Sequence, residues 1–409
     1  MPTHDLENLR RRALAVMPGG VSSNVRALEQ EPPLFIARAS GAHVWDEAGR
    51  RFIDYVCGYG AIALGYAPPG LNEAMTAALA AGIQHAASSR IEVEAAEAFC
   101  ASVPSVQSCR FHGSATEALQ TAFRIARAAT GRPTIVKFAR HYHGWVLPTD
   151  AEILSVAGGN SPSDYAVLPW NDGEKFVAFM QRHGSEVAAV VTEPIMANQG
   201  CFMPEPGWLE RLQSCTREAG GLFVMDEVVT GFRVALGGVR EQQGLTPDLS
   251  VFGKAMAGGA PMGVTGGRRD LMNLLAPGKV GHGGTFNGST LSMASVLWCI
   301  GETRRRGPVF FAGLAATGQR LMQGLTTAAR GAGVAVTTRG PGAVFWLAFD
   351  GDDATDMEPA TYHRFRLAMR KHGIRVGPGG RWYVSAAHGE AELEATLQAA
   401  ATAFRGITA

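Results

Sequence analysis

Short apolar runs that end in small or polar residues recur along the chain, with helix-like stretches between them. Four such runs are Thr134 to Phe138, Val187 to Val191, Leu222 to Met225 and Leu249 to Phe252. This alternation predicts strand–helix–strand crossovers on a largely parallel sheet with both faces covered. Ligands of such sheets bind at the carboxyl ends of the strands. The residues that follow these runs are therefore the first candidates for a functional site.

Each of the four runs is followed within a few residues by a chemically capable side chain: Tyr142, Glu193, Asp226 and Lys254, in that order. Lys254 precedes a glycine-rich segment almost without charge, where an ammonium is costly unless it is neutralised or chemically engaged. A lone aspartate after a strand is more often a cap, and a lone lysine is usually solvated. Neither residue alone identifies a site.

A helix start with small residues forms a further candidate. The segment from His112 to Ala118 reads HGSATEA and leads into a helix-like stretch through Thr130. Small residues at such a start allow backbone N–H groups to approach a phosphate in the favourable field of the helix dipole. The same letters also fit an ordinary serine cap with a glutamate nearby. The phosphate interpretation therefore needs support from other segments.

The length of 409 residues predicts two domains. We expect a large domain over residues 50–300. Residues 1–49 and 301–409 are expected to form a smaller α+β domain, with helices around Gly313 to Ala329 and Glu390 to Phe404. The predicted fold class is α/β.

Charge and cysteine usage narrow the possible partners. The net charge is +1 with acids and bases interspersed, so the chain shows no electrostatic footprint for nucleic acid or an anionic membrane. The charged start and the absence of a long apolar run predict a cytosolic protein. Six scattered cysteines without a CxxC pair favour neither a disulfide framework nor a zinc site, so no metal is predicted. Small molecules are the expected partners.

Three segments carry a family resemblance: DEVVTGFR from Asp226 to Arg233, FGK from Phe252 to Lys254, and GGRRD from Gly266 to Asp270. Together they resemble the class III, fold type I aminotransferases. The similarity is closest to the branch with glutamate-1-semialdehyde aminomutase and the β-amino-acid aminotransferases, and it covers nearly the whole chain. It implies pyridoxal 5′-phosphate (PLP) as cofactor, held by a large domain with a mostly parallel sheet.

The resemblance also implies roles for individual residues. Lys254 would be the Schiff-base lysine, and Asp226 would face the pyridine nitrogen. Further cofactor contacts would come from Val228 and Tyr142 on the ring faces, from Ser114, Ala115 and Thr116 around the phosphate, and from Glu193 and Asn198 near the ring substituents. The family more often has glycine at position 115. Thr285 matches a threonine that reaches the phosphate of the neighbouring subunit, which implies a homodimer.

For the substrate, Ser23 and Arg26 match aminomutase residues that hold a carboxylate, and Tyr59 matches an aromatic at the pocket wall. Three features depart from the aminomutase pattern. The stretch between Gly144 and Trp170 is shorter than the family's mobile lid, Gly281 replaces a usual tyrosine, and the C-terminal segment lacks the usual glutamate. Arg381 stands in that segment and matches a carboxylate-binding arginine of the β-amino-acid branch.

The leading hypothesis is an intermolecular aminotransferase for an amino acid, with β-amino and other non-standard amino acids among the candidates. One alternative is glutamate-1-semialdehyde 2,1-aminomutase, and another is a PLP-dependent epimerase or racemase on the same scaffold. A silent binding or scaffold protein is a fourth possibility, against which the intact Lys254 and Asp226 argue.

Overall fold

The computed structural model describes residues 3–145, 164–352, 356 and 359–408. The strands, in chain order, are β1 (Ile36–Ser40), β2 (His43–Asp46), β3 (Arg51–Asp54), β4 (Ser108–His112), β5 (Thr134–Phe138), β6 (Tyr165–Leu168), β7 (Val187–Thr192), β8 (Leu222–Asp226), β9 (Leu249–Gly253), β10 (Gly263–Gly267), β11 (Val336–Arg339), β12 (Val344–Phe349), β13 (Ile374–Arg375) and β14 (Arg381–Tyr383).

The helices are α1 (Thr3–Val16), α2 (Asn24–Ala27), α3 (Cys57–Gly60), α4 (Pro69–Ala80), α5 (Arg90–Ser102), α6 (Ala115–Thr130), α7 (Gly173–His183), α8 (Trp208–Glu218), α9 (Val239–Gln242), α10 (Arg269–Met272), α11 (Thr290–Arg306), α12 (Pro308–Gly331), α13 (Ala360–Lys371) and α14 (Glu390–Thr408). None of the helices within the described ranges combines the length and the apolar character needed to span a lipid bilayer.

The chain folds into two compact units. The larger comprises Pro69–Asn198 and Phe202–Ala312, and the smaller comprises Met1–Pro68, Gln199–Cys201 and Gly313–Ala409. Both main boundaries lie further along the chain than the domain limits predicted at residues 50 and 300, and the short segment Gln199–Cys201 was not expected in the smaller unit.

A seven-stranded sheet with the order β4-β10-β9-β8-β7-β5-β6 forms the larger unit. The neighbours from β9 to β6 pair in parallel, while β10 runs antiparallel to both β4 and β9. The α/β fold class with a mostly parallel sheet is therefore confirmed. All four strands that the sequence predicted for this sheet are present, and β5 has the predicted bounds.

Helix α6 packs against the centre of this sheet. Its apolar residues Ala118, Leu119, Ala122, Phe123 and Ala126 are buried with side chains of β7, β8 and β9. This spacing places them along one stripe of the helix. The helix ends at Gly131, where φ of +68° suits glycine. The packed stripe holds the start of α6 at the end of the sheet where β8 and β9 terminate.

The smaller unit contains two sheets of its own. One has the order β1-β2-β3-β13 and the other the order β11-β12-β14. The long helices α12 and α14 span the two helical stretches predicted from the sequence for the C-terminal part of the chain.

Candidate active site

Lys254 follows the last residue of β9 and begins a 3₁₀ turn, Lys254–Ala257. The chain is extended at Gly253, whereas φ at Lys254 is +46°. A left-handed backbone costs a non-glycine residue about 1–2 kcal/mol. Residues held in this region often belong to functional sites, where the surrounding structure fixes them. The half-buried Lys254 meets that description.

Asp226 ends β8, the strand that pairs with β9, and its side chain is only 4% exposed. Its Oδ2 lies 2.8 Å from Nδ1 of His143, and its Oδ1 accepts the Val228 N–H at 3.1 Å. Burial lowers the pKa of His143, and the hydrogen bond to Asp226 opposes that shift. The lowered pKa keeps the imidazole neutral, so its Nδ1 carries the proton that is donated to the Asp226 carboxylate.

Glu193 follows β7 and is the second buried carboxyl group at this end of the sheet. Its Oε1 accepts the Tyr142 N–H at 2.6 Å, and its Oε2 accepts the Asn198 amide at 2.9 Å. Burial and the negative charge of Asp226 raise the pKa of Glu193 to about 8, while the positive charge of Lys254 opposes the rise. These interactions bring five predicted cofactor contacts into one neighbourhood.

The start of α6 contains a capping box. The Ser114 hydroxyl accepts the Glu117 N–H at 3.3 Å, and the Glu117 carboxylate accepts the Ser114 N–H at 3.0 Å. The cap considered for the sequence is therefore present. The N–H groups of Ala115 and Thr116 have no acceptor within the helix, because the first turn lacks preceding carbonyls. These two groups and the Ser114 hydroxyl proton remain as donors for an anion.

Glycines keep the strands close to this helix start. A Cβ atom at Gly263 would lie 2.6 Å from the Ala115 backbone. One at Gly253, directly before Lys254, would lie 3.6 Å from Cβ of Ala115 and 3.8 Å from a methyl group of Val228. The structure thus brings Ala115, Val228 and the residue before Lys254 into contact range of one another.

An oriented chain of hydrogen bonds runs beside the same helix. The Thr265 hydroxyl donates to the Ala118 carbonyl at 2.7 Å, so it accepts from Nε2 of His112 at 3.1 Å. Nδ1 of His112 then accepts from Nε2 of His282 at 3.0 Å, and Nδ1 of His282 accepts from Arg110 at 3.4 Å. Burial lowers the pKa of His112 to about 3 and also lowers the pKa of His282, so both rings are neutral.

This chain of hydrogen bonds anchors the loop that carries Thr285. His282 lies at the beginning of the loop, and Oδ1 of Asn287 near its end accepts the Gly113 N–H at 3.1 Å. Thr285 is exposed and lines an open cavity of about 500 Å³ together with Gln84 and Glu92. Its backbone carbonyl accepts a hydrogen bond from the Gln84 amide.

The predicted substrate residues Ser23, Arg26, Tyr59 and Arg381 all belong to the smaller unit. The Tyr59 hydroxyl is influenced electrostatically by Arg26, Arg375, Arg381 and Glu29. Burial, followed by the charge of Glu29, raises the pKa of Tyr59 to about 12. Arg26, Tyr59 and Arg381 thus share one neighbourhood. Ser23 precedes α2, and its side chain makes no capping hydrogen bond there.

Sequence reasoning missed three histidines. His143 lies one residue after the predicted Tyr142. The HYHG sequence that contains both residues was a signal that could have indicated it. The roles of His112 and His282 depend on a contact between positions 170 residues apart, which no local pattern indicates. The predicted short lid between Gly144 and Trp170 lies mostly outside the described residues.

The chain is similar to known proteins over nearly its full length. The family model described as "Aminotransferase class-III" matches residues 25–389. A protein named glutamate-1-semialdehyde 2,1-aminomutase from Thermomicrobium roseum is 38% identical, with 95% of each chain covered. An omega-transaminase from Sphaerobacter thermophilus superposes with a TM-score of 0.89 at 32% identity, covering 99% of this chain and 98% of that one. A beta-phenylalanine aminotransferase from Variovorax paradoxus superposes with a TM-score of 0.87 at 31% identity, covering 98% of this chain and 93% of that one.

Proposed function

Because the chain belongs to the class III aminotransferase family, we propose that it transfers an amino group from an amino acid to a keto acid with PLP as cofactor. One observation carries the assignment of the site. Lys254, with a left-handed backbone, directly follows β9, and Asp226, paired with the buried His143, ends the adjacent strand β8.

The described residues fit the cofactor. We assign Asp226 to a protonated pyridine nitrogen, since its carboxylate is buried and oriented by His143. The donors left at the start of α6 suit a phosphate, and glycine at positions 253 and 263 lets this helix start pack closely against β9 and β10. We assign Val228 and Tyr142 to the ring faces, and Glu193 with Asn198 to the ring substituents. When bound, PLP supplies an aldehyde and an electron-accepting ring.

The residues of this chain supply positioning and proton transfer. Lys254 Nζ would hold the cofactor covalently, and the lysine amine would serve as the base that takes the proton from the substrate carbon. Asp226 would keep the pyridine nitrogen charged, and this positive charge would stabilise negative charge at the reacting carbon. His143 donates to Oδ2 of Asp226 and thereby fixes the orientation of that carboxylate.

We further propose a cytosolic homodimer in which Thr285 contacts the cofactor phosphate of the partner subunit. Its exposed side chain and its anchored loop support this role. Sedimentation of the holoenzyme should show a dimer, and a fully active monomer would contradict the assignment.

For the substrate we propose an amino acid whose carboxylate is held by Arg26 and Arg381, with Ser23 and Tyr59 beside it. The position of both arginines near the Tyr59 hydroxyl supports this proposal, as does the similarity to a beta-phenylalanine aminotransferase. An arginine in the C-terminal segment attracts a second carboxylate, such as that of a keto acid, which the usual aminomutase glutamate would repel. β-Amino acids are therefore the first donors to test.

The second candidate is the aminomutase, which the 38% identity to the Thermomicrobium roseum protein favours. The deciding experiment supplies the holoenzyme with a panel of α- and β-amino donors and a 2-keto acid, and follows the new amino acid by chromatography. Glutamate 1-semialdehyde is assayed in parallel. We expect exchange between donor and keto acid. Efficient conversion of the semialdehyde to 5-aminolevulinate, with no exchange for any donor, would establish the aminomutase instead.

A further inference from the structure

The four residues of α3 form a left-handed turn. The φ angles are +47° at Cys57, +57° at Gly58, +54° at Tyr59 and +88° at Gly60. Two of these residues carry side chains that disfavour this conformation, and consecutive left-handed residues are unusual outside glycine-rich segments. The turn is therefore held by interactions with its surroundings rather than by its own preference.

Asp54, the last residue of β3, provides much of that support. Its Oδ2 accepts the Cys57 N–H at 2.8 Å and the Tyr66 hydroxyl at 2.6 Å. The Tyr66 oxygen in turn accepts the Gly58 N–H at 3.1 Å. Arg375 binds the other carboxylate oxygen at 3.0 Å. One carboxylate and one phenol thus satisfy two successive N–H groups of the strained turn.

The turn determines where the Tyr59 side chain lies. The Tyr59 hydroxyl oxygen is fully buried and has no hydrogen-bond partner among the described residues. Leaving a buried hydroxyl unpaired costs free energy, so such a group calls for a ligand that pairs with it. The charged groups that act on this hydroxyl are three cations, Arg26, Arg375 and Arg381, and one anion, Glu29. Even with Asp54 counted, three positive groups face two negative ones, and this excess favours an anionic partner.

We propose that Tyr59 donates a hydrogen bond to the carboxylate of the amino-acid substrate, and that Asp54 and Tyr66 are positioning residues that hold the left-handed turn for this purpose. The inference rests on the proposed function for the nature of the ligand. It goes further by giving the Tyr59 hydroxyl, rather than only its ring, a part in substrate selection.

The test compares holoenzyme variants that lack single hydroxyl groups. Tyr59→Phe removes the hydroxyl that is the proposed donor, and Tyr66→Phe removes the hydroxyl that supports the turn. Tyr55→Phe is the matched control, because it removes a buried hydroxyl that pairs with Thr396 at 2.9 Å instead. Calorimetry measures the Kd of a carboxylate that matches the best amino donor but lacks its amino group. Steady-state kinetics give kcat and KM for the donor itself.

We expect Tyr59→Phe to raise this Kd and the donor KM about tenfold or more, since a hydrogen bond to a charged group is lost, with kcat nearly unchanged. Tyr66→Phe should give a smaller increase, and the double variant should be no weaker than Tyr59→Phe alone. Tyr55→Phe should bind as the wild type does. Should Tyr66→Phe fail to fold, Asp54→Asn replaces it, because the amide oxygen can still accept the Cys57 N–H.

Wild-type affinity in Tyr59→Phe, or no calorimetric binding of the carboxylate by the wild type, would overturn the proposal. Additive losses in the double variant would show that Tyr66 does not act through Tyr59 and would overturn the positioning role. Failure of the proposed function has a different signature. The wild type would then bind the carboxylate but transfer no amino group between donor and keto acid.

Discussion

Replacing Gly263 with alanine should loosen the start of α6 and weaken cofactor binding. The added Cβ would lie 2.6 Å from N and Cα of Ala115 and 2.6 Å from the carbonyl oxygen of Ser114. All three are backbone atoms, so no side chain can rotate away, and the helix start must separate from β10. Gly263 is also paired with Gly253 and His112 on its two sides. The strand therefore has little freedom to yield instead.

Overpacking of this kind costs about 1–3 kcal/mol. If the displacement falls on the phosphate donors, the same free energy corresponds to a PLP Kd about 5- to 150-fold higher. Titration of the apoenzyme with PLP, followed by visible absorbance, measures that Kd, and urea unfolding measures stability. Gly301→Ala is the control, because it lies in α11 with nothing within 4 Å of the new Cβ. Wild-type PLP affinity in Gly263→Ala would refute phosphate binding by this helix start.

Three further predictions concern the carboxylates and the lysine. Borohydride reduction followed by peptide mapping should place the cofactor on Lys254, and label on any other lysine would reject that assignment. Asp226→Asn should bind PLP but lower kcat about 100-fold or more, whereas near wild-type turnover would contradict the role of Asp226. Glu193 has a folded-state pKa of about 8 against an ordinary 4.5, so the folded state retains a proton that the unfolded chain releases. The stability of the cofactor-free wild type relative to Glu193→Gln should therefore fall as pH rises from about 4.5 to about 8, and a pH-independent difference would contradict the raised pKa.

Local patterns were sufficient for four of the seven strands of the large sheet, β5, β7, β8 and β9, and placed the end of each to within one residue. The run from Thr134 to Phe138 has the bounds of β5, because its apolar and β-branched residues are bordered by turn-forming ones. The groups after β7, β8 and β9 lie together, because parallel strands end at one edge of the sheet. That geometric rule made Glu193, Asp226 and Lys254 predictable as a cluster.

Features that depend on residues distant in sequence could not be predicted in the same way. The hydrogen bond between His112 and His282 joins strand β4 to a loop far along the chain, and neither neighbourhood signals the other. The left-handed turn from Cys57 to Gly60 contains two glycines, but the positive φ angles of Cys57 and Tyr59 depend on Asp54 and its partners. Tertiary interactions override local preference at these positions.

At position 254, the side chain that we assign to catalysis is carried by a backbone conformation that lowers the stability of the fold. Glycine at this position would adopt the left-handed conformation without steric cost, whereas lysine bears about 1–2 kcal/mol of strain. An engineering campaign that selected only for heat resistance would therefore tend to discard the amine to which we assign cofactor binding. Stabilising libraries for this enzyme should keep position 254 constant and seek gains at other left-handed non-glycine sites, such as Ala67 and Ala86, where glycine relieves strain and the replaced side chain is a methyl group that makes no hydrogen bond.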